Sequence, residues 1–488
     1  MHPSTSSTLP LSSAASPTYN HSESQITSLT THLAQTHNIP STSSNGLCRS
    51  RSSTAHSPAA PTHTPQAVFY PSSTQDVSII LRACHRRSVA VTAYCGGTSL
   101  GGALAATRGG VCVDFERMGK VLRVNREDMD VVVQAGVGWV ELNKELEGEG
   151  VWVAVDPARG AGVGGMIAMG CSGTNAYRYG TMKNHVLSLT AVLADGTVVK
   201  TRNRPRKSSA GYDLTNLIIG SEGTLALVTE AVLKLTPLPK NLHVAMAVLP
   251  SMQIATDVAV KVLSSGEQLE AIEVMDRECM RAVNCLGSHE RFEELPTLFL
   301  KFAGSRLSVE EQILFVKGLC EDRGLVAFEA SGEKEKIEEI WGARKSLGHA
   351  IVGMKKDPDD VFVHTDAAVP ISKLARLVEE SERVVGEMGK GWFVCNVAHA
   401  GDGNTHTGLI CPKEDKEEAE ISLTSIQKLA LELDGTITGE HGIGLKLRDL
   451  LCEEVGSAGV DAMRKIKFAL DPKGILNPDK VMKLDLDI

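Results

Sequence analysis

The chain has no Cys-x-x-Cys pair, few aromatic residues (4%), no long apolar run and no lysine or arginine before Arg49. Each shortage excludes something. Eleven cysteines scattered singly, with an odd total, do not form the framework of a small secreted disulfide fold; they suit a reducing compartment and small buried side chains. No stretch approaches the roughly 18 to 20 consecutive apolar residues needed to cross a bilayer, so no transmembrane segment is expected. A formal charge of -9, from 50 basic and 59 acidic residues, gives no general attraction to nucleic acid. Residues 1–64 are rich in Ser, Thr, His and Pro, too poor in apolar side chains to fold alone, and are read as a disordered tail. Before Arg49 they also lack the arginines of a mitochondrial presequence, so the compartment is not written there.

What remains is a long, ordinary globular composition, 42% hydrophobic and 22% charged over 488 residues. That length predicts two or three domains. Gln66 to Tyr70 alternates as a strand, and Ser73-Thr74-Gln75-Asp76 caps a helix that runs to Arg87. Further strands are expected at 90–94, 111–115, 121–125, 131–135, 187–193 and 197–200, interspersed with helices and glycine turns. Around Thr236-Pro237-Leu238-Pro239 the pattern breaks, which marks a boundary near 238. A helix is expected over Gly459 to Ala469, followed by "DPKGILNPDKVM", whose Pro and Gly residues make a structured tail.

Two glycine clusters stand out, "CGGTSLGG" at 95–102 and "GAGVGGMIAMGCSGTNAYRYG" at 160–180. Residues without Cβ let successive N–H groups turn into a concave nest that an anionic phosphate can fill. For either cluster taken alone, two tight turns explain the glycines as well. Gly160, Gly162 and Gly165 satisfy G-x-G-x-x-G, yet four residues intervene after the strand-like "VWVAV", and Gly170 and Gly173 interrupt the helix that should follow. The Rossmann match is therefore read as accidental.

Taken together with "LADGTVV" and "GSEGTLALVTE", the clusters resemble, in order and spacing, the flavin domain of the vanillyl-alcohol oxidase type, from about residue 65 to 239. That resemblance implies an α+β fold: a two-part FAD-binding domain at 65–238, a substrate (cap) domain with an antiparallel sheet at 239–450, and a tail at 451–488 returning to the FAD domain. It also implies that Gly96, Gly97, Thr98, Ser99 and Leu100 cradle the pyrophosphate. Pro157, Gly164, Gly165, Ser172, Gly173, Asn175, Tyr179 and Gly180 would line the flavin, Gly223 and Val228 would lie under the adenine side, and Asn477 would bond the flavin ring. Cys95 stands where many members have Gly, which is expected to re-shape the first turn. The first loop has no histidine for the covalent link some members use, so FAD is expected to be held noncovalently.

"HAGDGNTHTGLI", at 399–410, reads as a hairpin closed by the four-residue turn Gly401-Asp402-Gly403-Asn404. Pairing Ala400 with Thr405 would set His399 opposite His406, with Cβ atoms roughly 4.5 to 5.5 Å apart and both imidazoles able to hold one divalent ion. "TGEHGIG" offers Glu440 as a third ligand beside His441. The plainer alternative is a stacked histidine pair and a solvated turn.

These segments, with "LDPKGILNPDKVM", resemble the C-terminal half of the FAD-linked D-2-hydroxyacid dehydrogenases. The resemblance implies metal ligation (Zn or Mn) by His399, His406 and Glu440, His441 as catalytic base, and Arg344 in "WGARKSLGHA" as the cation for the substrate carboxylate. The metal would stabilise the developing alkoxide while hydride goes to flavin. Gly408 and Gly348 offer no donor for a second carboxylate, which points to D-lactate as the acid and pyruvate as the product. The resemblance implies cytochrome c or another electron acceptor as the partner, and the mitochondrion, otherwise the cytoplasm, as the compartment. D-2-hydroxyglutarate or glycolate with the same mechanism, or a catalytically silent metal-binding scaffold, are the alternatives.

Overall fold

In the computed structural model, residues 16–54, 57, 59–287 and 291–484 are described. The chain divides into two units, the first comprising Met1–Gly173, Thr181–Leu238 and Glu440–Ile488, the second Thr174–Gly180 and Pro239–Gly439. The architecture is α+β.

The first unit holds two sheets. One runs Ser41–Thr42, Ala67–Phe69, Val111–Asp114, Val91–Tyr94, the last three strands parallel. The other is antiparallel, in the order Val121–Asn125, Asp130–Gln134, Leu227–Lys234, Val186–Val192, Val198–Lys200. Helix Thr74–Arg87 starts where its cap predicts, with Ser73 Oγ accepting from the Asp76 N–H. It buries Val77, Ile80, Leu81 and Cys84 against Phe69, Val111 and Val113.

The expected disordered tail at 1–64 needs correcting. Residues 1–15 lie outside the described residues, but Glu23–His37 is a helix and Asn45–Ser50 a shorter one. Ile26, Leu29 and Leu33 form one apolar stripe, at most 3% exposed, set into the core built around Phe69 and Leu81. Composition shows only that a segment cannot fold alone; docking on a ready core removes that requirement.

A second correction concerns the other end. The helix expected over Gly459–Ala469 is the latter part of Arg448–Leu470, interrupted at Gly456, whose φ of 73° lets the chain turn inside it. The division between units falls between Gly439 and Glu440 rather than at 450. Glu440 and His441 thus belong with the first unit.

The second unit is built on an eight-stranded antiparallel sheet ordered Ala327–Ser331, His243–Val248, Thr297–Phe302, Ala271–Met275, Phe393–His399, Asn404–Cys411, Val361–His364, with Ala367–Ala368 also paired to Asn404–Cys411. One face, carrying Ile272, Val274, Leu300, Ala398 and Leu409, is covered by Met252–Ser265, Arg306–Glu321, Leu374–Glu387 and Lys416–Glu432. On the other, Ala271, Met275, Phe299, Cys395 and Ile410 meet Arg277–Cys285 and Lys334–Gly353. Among the described residues no helix is long and apolar enough to cross a membrane.

Candidate functional site

In the first unit, strand Val91–Tyr94 runs into Gly96 and Gly97, with φ of 84° and 68°. A Cβ on Gly96 would stand 2.4 Å from the Gly160 carbonyl oxygen, and one on Gly165 would stand 2.7 Å from that of Cys95. The two glycine clusters therefore lie backbone against backbone, which either alone would not require. Cys95 does not re-shape the turn, because the left-handed conformations fall on the two glycines after it. Its Sγ donates to the Ala135 carbonyl (3.1 Å), and burial pushes the thiol up to about 11 against the pull of the Gly165 and Gly164 amides. It is a packing group, not a nucleophile.

Ser99 Oγ is buried without a hydrogen-bond partner among the described residues, and so is Asn477 Oδ1, while Asn477 Nδ2 donates to the Glu222 carbonyl (2.7 Å). Orphaned buried oxygens are rare unless something else satisfies them. Together with the glycine cradle, they fit the phosphate and ring edges of a dinucleotide such as FAD.

Glu440 and His441 lie on a loop that is tied down downstream. The Glu222 carboxylate accepts from the N–H groups of Ile443 (2.7 Å) and Gly444 (2.9 Å), and the Gly101 carbonyl accepts from Leu445 N–H (2.8 Å). Gly444 is obligatory, since a Cβ there would sit 2.1 Å from Gly101 O. Ser172 Oγ donates to Glu440 Oε2 (2.7 Å), and His441 Nε2 lies 3.8 Å from Glu440 Oε1. Burial pushes Glu222 up to about 7, opposed by the two amides and by Lys480. Glu222 was within the "GSEGT" stretch but had no assigned role; an acid among glycines and apolar residues was the available signal.

In the second unit, the hairpin register differs from the one expected. The turn is Ala400 to Gly403: His399 pairs with Asn404 and Val397 with His406. The pairing has slid by two residues, which keeps both histidines on one face but makes them diagonal neighbours. Their ring centroids are 5.4 Å apart with the planes at 89°.

The same face carries two acids that sequence reading missed. Val274 pairs with Ala398, which sets Glu273 opposite His399. His399 Nδ1 lies 2.8 and 2.9 Å from the two Glu273 oxygens, and Arg344 Nε and Nη2 donate to Glu273 Oε2 at 3.1 and 2.8 Å. Burial raises the Glu273 pKa, but the His399 and Arg344 charges and hydrogen bonds outweigh it, and the carboxyl ends below its ordinary value. Across the hairpin, the pairings of His364 with Gly408 and Ala367 with Thr405 place Asp366 opposite His406, with Oδ1 3.6 Å from His406 Nδ1. Asp366 is held by Asn404 Nδ2 (2.8 Å) and Thr438 Oγ1 (2.7 Å). The face is a polar row, Glu273, His399, His406, Asp366, which crosses three strands and ends on the segment between Val361–His364 and Ala367–Ala368.

The remaining sequence-predicted residues divide between the units. Pro157, Gly164, Gly165, Ser172, Gly173, Gly223 and Val228 belong to the first, with Gly173 close against Asp156 (2.4 Å from a built Cβ to Oδ1) and Val228 in the strand core. Asn175, Tyr179 and Gly180 fall in the second, where Tyr179 OH donates to Glu270 Oε2. Arg344, expected to present itself to a substrate, spends two donors on Glu273. Gly408 is closely walled, since a Cβ would stand 3.0 Å from the Phe362 ring and 3.4 Å from Cys395 Sγ, so any side chain there needs one of these to shift by a few tenths of an ångström.

Comparison with known proteins bears on both units. A model described as "FAD binding domain" matches residues 65–202, and one described as "FAD linked oxidases, C-terminal domain" matches 238–481. The mitochondrial D-lactate dehydrogenase (cytochrome) of Kluyveromyces lactis is 44% identical over 86% of this chain and 74% of its own. The Arabidopsis thaliana protein of the same name is 41% identical over 86% and 73%. Among solved structures, p-cresol methylhydroxylase with substrate bound superposes with a TM-score of 0.77 over 96% of this chain and 99% of the other, at 13% identity, a likeness of fold alone.

Proposed function

Because this chain belongs to the FAD-linked oxidases and is an FAD-dependent oxidoreductase, we propose that it oxidises D-lactate to pyruvate and passes the electrons to cytochrome c; the relatives above carry the name D-lactate dehydrogenase (cytochrome). Their mitochondrial names favour the same compartment. The observation that supports it best is the polar row on the sheet face, His399 and His406 with buried carboxylates behind them, in a chain whose other unit carries a glycine cradle with unsatisfied buried oxygens.

In this reading Gly96 to Leu100 would hold the pyrophosphate of noncovalent FAD, and Asn477, whose Oδ1 is buried and unsatisfied, would bond the flavin ring. Pro157, Gly164, Gly165, Ser172, Gly173, Asn175, Tyr179 and Gly180 line the flavin, with Gly223 and Val228 towards the adenine. When bound, FAD accepts the hydride leaving the substrate α-carbon. His399, His406 and Glu440 supply two nitrogens and one oxygen, a donor set suited to Zn or Mn. Such an ion, when bound, acts as a Lewis acid that stabilises an alkoxide.

His441 takes the hydroxyl proton, a task for which imidazole suits near-neutral pH. Arg344 offers a guanidinium to the substrate carboxylate while Glu273 holds its other edge. Gly408, walled by Phe362 and Cys395, presents no donor for a second carboxylate. That supports a substituent as small as methyl.

Flavin bleaching under anaerobic conditions tests the reading as a whole. D-lactate is expected to bleach the flavin, a chelator to abolish bleaching, and added Zn or Mn to restore it. A protein that takes up no FAD, or a kcat/KM for D-2-hydroxyglutarate above that for D-lactate, overturns it.

A further inference from the structure

Glu273 sits in the middle of strand Ala271–Met275, where its neighbours Ala271, Ile272, Val274 and Met275 are all buried, and it is itself 1% exposed. An acid in that position is costly unless its charge is met. Charge neutralisation needs one cation, and packing alone needs none, since hydrophobic residues commonly replace a buried ion pair without loss. Glu273 instead engages two side chains from different elements. His399 comes from the adjacent strand, and Arg344 comes from helix Lys334–Gly353.

The atoms engaged matter more than the number of bonds. A carboxylate only accepts hydrogen bonds, so the proton of neutral His399 must stand on Nδ1, and the ring lone pair is thereby assigned to Nε2. Arg344 is gripped by Nε and Nη2, the edge that fixes how far and in which plane the guanidinium reaches. Each side chain is held by the atom its proposed chemistry does not use.

We propose that Glu273 is a positioning residue that selects the metal-binding tautomer of His399 and, through the same carboxylate, sets the reach of Arg344, so that metal affinity and substrate affinity are coupled through one side chain. The proposal rests on the function argued above. A ligand histidine whose second nitrogen bonds a carboxylate is a recurring metal-site arrangement, and loss of the outer carboxylate weakens metal binding about 10 to 100-fold. Glu273→Gln keeps the shape but turns one acceptor oxygen into a donor NH2. With its oxygen kept towards Arg344, the new NH2 takes the place of Oε1, 2.8 Å from His399 Nδ1, and opposes a proton on that nitrogen.

The test uses full-length, FAD-loaded protein and zinc ion as the probe, its affinity measured by competition with a chromophoric chelator beside kcat and KM for D-lactate. Glu273→Gln is expected to retain the flavin spectrum, bind zinc about 10 to 100-fold more weakly and show a raised KM. Glu273→Asp, which retains the charge, is expected to recover part of both and keeps the test informative should the Gln variant not fold. His399→Ala sets the floor for zinc binding. Wild-type zinc affinity in Glu273→Gln, with His399→Ala having lost it, overturns the positioning role while leaving the functional reading intact. A wild-type protein that takes up no zinc sinks both.

Discussion

Two glutamates, one in each unit, are buried to within a few per cent, yet they behave in opposite ways. Glu222 receives neutral backbone N–H groups, and desolvation wins: its carboxyl is pushed up to about 7. Glu273 receives an imidazole and a guanidinium, which overcome desolvation and hold it below the usual carboxylate range. Depth is the same in both, so the partner's charge decides the sign. The first anchors a loop by its backbone. The second orients two side chains, and only there does the charge itself need to persist at all working pH.

Removing the second carboxylate should produce the largest effect. Glu273→Ala takes the acceptor from three donor nitrogens, His399 Nδ1 and Arg344 Nε and Nη2, and is expected to destabilise the second unit by about 3 to 5 kcal/mol, read by urea denaturation. A loss under ~1 kcal/mol would put the two glutamates on an equal footing.

The first carboxylate predicts a pH dependence. Glu222 is raised from 4.5 to about 7 on folding, so the native state binds more protons between those values and stability falls as pH rises through that window. The total is at most about 3 kcal/mol. Lys480 is lowered by burial from 10.5 to about 7; there the unfolded state binds more protons, and stability rises again above 7. The pair thus predicts a minimum near neutral pH, and Glu222→Gln should flatten the acid limb while, by removing a charge that supports Lys480, leaving the rise on the alkaline side. Thermal melts from pH 4.5 to 9 decide it, and an unchanged acid limb in the variant counts against the raised carboxyl.

The smallest expected effect sharpens the comparison at its edge. Thr438→Val removes a hydroxyl that donates to Asp366, the acid beside His406, while Asn404 continues to hold the other oxygen. About 1 kcal/mol of stability should be lost, with FAD binding unchanged. A loss as large as that for Glu273→Ala would mean that Asp366 too depends on its partners one by one.

Much of this was legible in the chain. The cap at Ser73, the strands of the first unit, the paired glycine clusters and the histidine hairpin follow from local pattern. The hairpin's register did not, because sliding two strands by two residues leaves every side chain on its original face, and period-two patterning is blind to it. Glu273 and Asp366 escaped notice for a related reason. Glu273 is a lone acid in an apolar strand and Asp366 a lone acid between two short ones, and the role of each appears only when the neighbouring strand brings a histidine opposite. Glu440 was assigned to the wrong segment because its loop is tied to Glu222 through the Ile443 and Gly444 amides, 221 and 222 residues away in sequence, which no side-chain pattern reveals.

The helix at Glu23–His37 bears on where this protein can be cut. The matched family region starts at residue 65, yet Tyr19 OH reaches the Gly474 carbonyl, Asn20 N–H bonds Ser88 O, and the Leu29 and Leu33 side chains are fully enclosed. A chain trimmed to the matched boundary would keep every residue assigned to chemistry and still bare a greasy trough on the nucleotide-holding half. The functional boundary of this half of the molecule therefore lies upstream of Tyr19, well outside the matched region.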